Sequence, residues 1–510
     1  MMPANRLLNS AITAMYGREY SRFLRATDLE KVQSAYLSDL LRKNAGTIFG
    51  REHGFGEIHN YEEFASRVPV MTYEKYKPYI DRIAQGEKCV LTAEPVRLLE
   101  PTSGSSDGRK LIPYTETLRK EFRRGIQPWL CDLYRRVPGT ADGKSYWSVT
   151  PVTSRKEYSA GGIPIGFEED AEYFGALERH LMRGIFAVDS SVKFASDMDE
   201  FYRRTCEQLL RCEKLSLISV WNPTYLTILC DYIASHRDSL VYAIPERRRR
   251  DVLDAIGKDR FDLVFPHLVV ISLWADGSAA DYVGRVAERF PGVRIQAKGL
   301  LATECFVSFP LTGEEGSRLS IYSHFFEFLC LTDGKIYRAH ELKTGEYEII
   351  VTTGGGLYRY RIGDIVDILE TYANRPPRLR FLRRAGVTSD HFGEKLTEEF
   401  VKKVASRLAI SDTFYLIAPE ENTYVLFTKT ENIDEERLDR ELCENFHYNY
   451  CRSLGQLARA RVVRVNGSPE EAYIKRLVAD GMRLGDIKPS HLSNRSGWTT
   501  WFTKGNNKLC

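Results

Sequence analysis

Three short stretches combine residue types that can handle a nucleotide. The first is LLEPTSGSSDGRKLIPYT, residues 98–115. Ser103, Gly104, Ser105, Ser106, Asp107 and Gly108 stand in a row, followed by Arg109 and Lys110. Glycines let backbone N–H groups approach an anion, hydroxyls add donors, and the two cations add charge, so the run suits a phosphate. It equally suits a surface turn, because Ser and Gly favour turns. The G-x-x-x-x-G-K-[ST] spacing of a P-loop is absent, and so is the G-x-G-x-x-G dinucleotide fingerprint. The second stretch is GLLATE, Gly299–Glu304, after an apolar run at 293–298. A carboxylate beyond a strand end points into the crevice where α/β proteins bind ligands, although a surface Glu after a strand is the commoner occurrence. The third is GGGLYRYRIGDIVDI, Gly354–Ile368, with Asp364 behind Gly363. It reads either as a ligand loop or as a twisted hairpin with a glycine bulge and Asp364 in a turn.

The chain that must position these groups has 510 residues, 43% hydrophobic and 28% charged, with ample material for a large core and a further domain. Net charge is +3, from 72 cations and 69 anions, which gives no case for a nucleic-acid surface. The most basic cluster, Glu246–Arg250, opens the helix-like IPERRRRDVLDAIGKDR and reads as a solvated helix face. The ten cysteines form no C-x-x-C pair and no His pair has zincin spacing, so neither a zinc site nor a disulfide scaffold is indicated. No signal peptide or membrane span is evident, and a cytoplasmic protein with reduced thiols is expected.

Residues 1–50 carry apolar residues at three- and four-residue spacing and predict helices. Ser196-Asp197-Met198-Asp199 predicts a capped helix start, with an apolar face through Tyr202, Cys206, Leu209 and Leu210. The runs KSYWSVTP, LVVISLW, VRIQAKGLLA and EYEIIVTT read as strands between helices, which predicts an α/β core with a mainly parallel sheet. After residue 380 the texture becomes charged and hinge-like. FYLIAPEENTYVLFTK then reads as two strands around a polar turn, and ARVVRVNG as a third. The expected organisation is a large domain at 1–383, a hinge at 384–395 and a small mobile α+β domain at 396–510.

Taken in order, these elements resemble the luciferase-like acyl-adenylating superfamily, and most closely the auxin-responsive Gretchen Hagen family of acyl-acid amido synthetases. TSGSSDGRKLIPYT is similar to that family's phosphate loop. SAGGIP, 159–164, is similar to its S/P-G-G-[IL]-P segment, and WADGSAADYV, 274–283, to its adenine-side loop. GLYRYRIGDIV is nearly the family's own wording, and GDIKPSHL, 485–492, is similar to its terminal Q-Y-K-x-P-R-C. The resemblance covers essentially the whole chain. Three positions depart from it: Leu300 stands where the family has an aromatic residue, Asp276 where it tends to have Thr or Gly, and Pro489-Ser490-His491 replaces P-R-C.

The resemblance implies an α/β fold with a large adenylate-forming domain, and an ATP- and Mg²⁺-dependent ligase. The enzyme would adenylate a carboxylic acid and pass the acyl group to an amine, as a rule an amino acid. Glu304 would hold Mg²⁺, because magnesium takes one or two carboxylates with phosphate oxygens and water. Thr303 and Lys488 would serve the α-phosphate. Ser103, Gly104, Ser105 and Ser106 would serve the β- and γ-phosphates, and Asp364 the ribose hydroxyls. Gly277, Ser278, Leu300 and Ala302 would border adenine, and Arg384, at the domain boundary, would also contact the nucleotide. The acid pocket is expected around Trp147–Pro151, Gly161–Pro164 and Trp221–Leu226. A monomer is expected, with no nucleic-acid or membrane partner. Two other readings stay open: acyl transfer to a thiol such as coenzyme A, and a degenerate nucleotide-binding protein without chemistry.

Overall fold

The computed structural model describes residues 4–102, 110–148, 157–166, 184–372, 375–385, 388–389, 391, 394–453, 455–482 and 484–503. The chain divides into two compact units. The first takes most of the chain up to Arg383, and the second comprises Arg384–Cys510 with the short segment Ser278–Gly284.

The N-terminal helices form as the apolar spacing requires, over Ala4–Leu24 and Leu29–Asn44. The second is capped by Asp28, which accepts from the Lys31 N–H, and buries Leu29, Leu37, Leu40 and Leu41. Met198–Arg211 is also helical. Asp197 accepts from the Glu200 N–H at 2.8 Å, while Glu200 reaches back to the Ser196 N–H at 2.6 Å, and Tyr202, Cys206, Leu209 and Leu210 are buried. The Glu246–Arg250 cluster begins a short helical turn and the Arg249–Gly257 helix, with Arg250 almost fully exposed.

Three sheets lie in the first unit among the described residues. Lys144–Trp147, Leu215–Ser219, Val270–Leu273 and Arg294–Ala297 form a four-stranded sheet in that order, parallel at each pairing. Helices fill each crossover, as parallel strands demand. The parallel pattern stops there. A larger, seven-stranded sheet contains Gly345–Thr352, and it pairs antiparallel with Phe325–Cys330 on one side and Tyr360–Tyr372 on the other. EYEIIVTT therefore belongs to a meander and not to the parallel sheet. Only residues 353–359 separate it from the next strand, too few for a crossover helix. A hairpin of Leu98–Thr102 and Lys110–Tyr114 brackets residues 103–109, which lie outside the described residues.

In the second unit, Tyr415–Glu420 and Thr423–Thr428 form an antiparallel pair around a two-residue turn, and Arg461–Arg464 adds in parallel to the latter. Helices Glu398–Arg407 and Glu435–Cys443 contribute Val401, Val404, Leu438 and Leu442 to its own core.

Candidate active site

The Arg294–Ala297 strand ends the parallel sheet, and GLLATE begins two residues later. Gly299 is required there, because a Cβ would come within 2.0 Å of the Ser308 carbonyl oxygen. The chain then doubles back. Leu301 pairs antiparallel with Phe306, and Ala302 and Cys305 exchange backbone hydrogen bonds at 3.0 and 3.2 Å. Thr303 and Glu304 thus occupy the two corner positions of a tight turn. The Thr303 carbonyl accepts from the Tyr114 hydroxyl, and Glu304, 4% exposed, accepts from the Tyr360 hydroxyl at 3.4 Å. Leu300 is buried in the main core, with its N–H donating to Ser308 Oγ at 2.9 Å.

Asp364 reaches the same neighbourhood through a backbone irregularity. Glu348 pairs with Ile365 and Ile350 with Arg361, so three residues, 362–364, oppose the single Ile349. Gly363 takes φ +79° in this bulge, a conformation that suits glycine. A bulge re-aims the side chain beside it, and Asp364 ends 2% exposed. Of the two readings of this stretch, the hairpin with a glycine bulge is the one the structure shows. Cys305 registers both acids: burial pushes its thiol well above the ordinary range, and the charges of Glu304 and Asp364 push it further.

Gly277 lies against the Arg375–Arg384 strand with φ +61°, where a Cβ would meet the Phe381 ring at 2.9 Å and the Leu382 carbonyl at 3.1 Å. Beside it, burial raises Asp276 to about 6, against the opposing pull of Arg380 and the Phe381 N–H. Arg384 is exposed at the last position of that strand. The side chain of Ser278, and Ser103, Gly104, Ser105 and Ser106, lie outside the described residues. Lys110 stands over the Tyr73 ring at 5.4 Å. In SAGGIP, a Cβ on Gly161 would come within 2.2 Å of the Gly86 nitrogen, so its glycine is needed for backbone packing on the turn after the Tyr73–Ala84 helix.

In the second unit Lys488 is half-buried, and its carbonyl accepts from Tyr473 at 3.2 Å. The residues after it are laced to the Tyr415–Glu420 strand and the Glu398–Arg407 helix. Ser490 Oγ and the His491 N–H both donate to Glu398 Oε1, and His491 stacks on Tyr415 at 4.0 Å. Its Nε2 lies 2.8 Å from Asp281 Oδ2. Burial raises the Asp281 carboxyl, but His491 and Lys402 together outweigh it and hold the group below its ordinary value. The departure from P-R-C therefore builds a buried contact. Sequence reasoning missed it, and also missed Tyr114 and Tyr360, since a lone aromatic inside a strand carries no separate signal.

Two family models match the chain: the N-terminal domain of the GH3 family over residues 22–258 and its central domain over 318–384, together more than half of the chain. The chain is 23% identical over 451 residues to indole-3-acetic acid-amido synthetase GH3.17 of Arabidopsis thaliana, spanning 73% of this chain and 71% of that protein. A solved structure of the AtGH3.15 acyl acid amido synthetase in complex with 2,4-DB superposes with a TM-score of 0.79 at 19% identity, over 97% of this chain and 96% of that one. A 2-hydroxyisobutyryl-CoA ligase in its postadenylation state shares the fold more loosely, with a TM-score of 0.51 at 13% identity, over 97% of this chain and 90% of that one.

Proposed function

The chain belongs to the GH3 family, and on that premise we propose that it is an acyl-acid amido synthetase: it adenylates a carboxylic acid with ATP and transfers the acyl group to an amino acid, releasing AMP and pyrophosphate. A carboxylate is a poor electrophile toward an amine. Attack of its oxygen on the α-phosphorus of ATP expels pyrophosphate and leaves a mixed anhydride that an amine opens. Charge develops on phosphate oxygens in that step, so positioned charge and donors are what the protein has to supply.

The observation that carries this reading is the convergence of Glu304 and Asp364 on Cys305, one from a tight turn after the parallel sheet and one from a bulge in the antiparallel sheet. Two buried carboxylates near one buried thiol are costly for a fold and useful to a nucleotide. The donor chemistry fits magnesium, since Glu304 offers one carboxylate and substrate phosphates offer the remaining oxygens. When bound, that ion neutralises phosphate charge and orients pyrophosphate for departure. In this reading Thr303 donates to an α-phosphate oxygen, Asp364 accepts from the ribose hydroxyls, and the loop from Gly277 borders the base. Leu300 and Ala302 support that border from the hairpin. Ser103, Gly104, Ser105 and Ser106 cradle the outer phosphates. Lys488 serves adenylation, and Arg384 marks the hinge about which residues 396–510 turn relative to residues 1–383 between half-reactions. We assign the enzyme to the cytosol as a monomer. Among the described residues no helix is long and apolar enough to cross a membrane.

The test is purified protein with ATP, a mixture of carboxylic acids and a mixture of amino acids, followed by mass spectrometry of the amides and by AMP release. Amide products and AMP release that need an amino acid support the reading. AMP release driven by coenzyme A alone assigns a thiol acceptor, and no acid-dependent pyrophosphate release assigns a nucleotide-binding protein without chemistry.

A further inference from the structure

Six residues before Glu304, directly after the last parallel strand, stands Lys298, a buried cation that the reaction above does not use. It is 8% exposed, and no carboxylate faces it among the described residues. Its Nζ donates to Ser219 Oγ at 2.8 Å. The other groups around it are indoles: Nζ lies 4.7 Å from the ring centroid of Trp129, 5.1 Å from Trp221 and 5.8 Å from Trp147. Rings at these distances stabilise an ammonium through their faces but accept few of its protons. An ammonium carries three N–H donors, and one hydroxyl answers one of them.

The sheet underneath is polar in the same place. Trp147, Ser219, Ser272 and Gln296 stand in register, one on each of the four parallel strands. They lie at the last or next-to-last positions of those strands, at the end where α/β sheets bind ligands. Gln296 accepts from the Trp129 indole N–H at 2.9 Å. Trp147 Nε1 and Ser272 Oγ are buried without a hydrogen-bond partner among the described residues. A buried polar group left unanswered calls for an explanation, and a further bound group is one.

We propose that Lys298, with Ser219 and the indoles of Trp129, Trp147 and Trp221, is an anion subsite for the acid substrate, and that this substrate is an aryl or similarly flat acid bearing a second carboxylate at the end remote from the one that is activated. This deepens the amido-synthetase reading and rests on it. The geometry divides the substrate. Its activated carboxyl goes to the Thr303–Glu304 turn, its flat body lies among the indoles, and its second carboxylate pairs with Lys298. The chain from Lys298 to Thr303 spans five residues and hence under about 18 Å even if fully extended, which is within reach of such a molecule. Burial lowers Lys298 to about 7, so an arriving carboxylate restores the charge that burial disfavours.

The test uses para-substituted phenylacetates whose second carboxyl stands on zero, one or two methylenes, each against its methyl analogue. Binding is read from intrinsic tryptophan fluorescence without ATP, and activation from ATP–pyrophosphate exchange. At least one diacid should bind the wild type ten-fold or more tighter than its methyl partner. Lys298→Met should bring that ratio near one, and Ser219→Ala should reduce it in part; a melting curve on each variant establishes that it is folded. The inference is overturned if no diacid is preferred, if Lys298→Met keeps the preference, or if the Lys298 dependence appears only in the amino-acid KM, which would place the acceptor's carboxylate there. Exchange on monoacids without any diacid preference leaves the ligase reading intact and removes the subsite. A Lys298-dependent preference without exchange on any acid does the reverse for the ligase reading.

Discussion

Arg359 and Lys298 are both buried cations, and the fold treats them in opposite ways. Arg359 is 5% exposed, and each of its guanidinium nitrogens has an acceptor, among them a carboxylate. Its Nε and Nη2 grip Glu327 at 2.9–3.1 Å, and its Nη1 donates to the carbonyls of Ala65 and Val68 at 2.8 and 2.9 Å. It holds φ +51°, a conformation unusual for a residue with a Cβ. These contacts tie the Tyr61–Arg67 helix to the antiparallel sheet. Lys298 has a hydroxyl, three ring faces and no carboxylate among the described residues. A buried charge that holds a fold together is saturated with partners. A buried charge left short of acceptors waits for a ligand. Glu304 and Asp364 are each delivered by a local backbone device, a tight turn or a bulge.

The contrast is broken most forcefully at Arg359. Arg359→Met leaves Glu327 buried and unpaired, and this should cost about 3–5 kcal/mol of stability, read as the shift of the urea midpoint. A loss below about 1 kcal/mol would place Arg359 outside the structural class. In the second unit, Lys488→Ala should abolish acyl-adenylate formation and leave stability nearly unchanged, yet still convert a supplied acyl adenylate and amino acid to amide. Single-turnover measurements of the two steps check this, and equal loss of both removes Lys488 from an adenylation-specific role. Asp364→Ala should weaken ATP by about 1.5–3 kcal/mol, as expected for a charge-assisted hydrogen bond, with acid affinity little changed. Calorimetry that finds wild-type ATP affinity would return Asp364 to the status of a bulge residue.

The pH dependence of stability sharpens the comparison at Lys298. Its folded value, about 7, lies below the ordinary lysine value of 10.5. Between those limits the unfolded chain binds a proton that the folded chain does not. Stability should therefore rise with pH from about 7 toward 10.5, by at most about 1.4 kcal/mol per pH unit. The Lys298→Met variant should lack this component, so the difference between the two stability curves isolates it. Parallel curves across that window would mean that Lys298 is solvated.

Much of this was legible in the sequence, for identifiable reasons. The Met198–Arg211 helix announced itself through Asp197 and its apolar spacing, and the Tyr415–Thr428 hairpin through two apolar runs around Glu421-Asn422. Local patterns are written locally. The limits of the parallel sheet were not read correctly, because an apolar strand has the same composition in either sheet and only the short 353–359 connection distinguished them. The bulge at Gly363-Asp364 was anticipated as one of two readings, since glycine before an acid is a local signal. The Lys298 environment was invisible. Its groups come from positions 129, 147, 219, 221 and 298, brought together by strand register, and no stretch of sequence holds two of them in a recognisable motif except Ser219 and Trp221. His491 and Asp281, 210 residues apart, were hidden for the same reason.

The Thr303–Glu304 turn is the part of the proposed site on which acyl adenylation rests. ATP–pyrophosphate exchange with an accepted acid, compared between wild type and Glu304→Gln, tests it most directly. Exchange should fall by about two orders of magnitude or more, the scale of losing one positioned electrostatic contact, with an unchanged melting temperature. Near-normal exchange by the folded variant would contradict it.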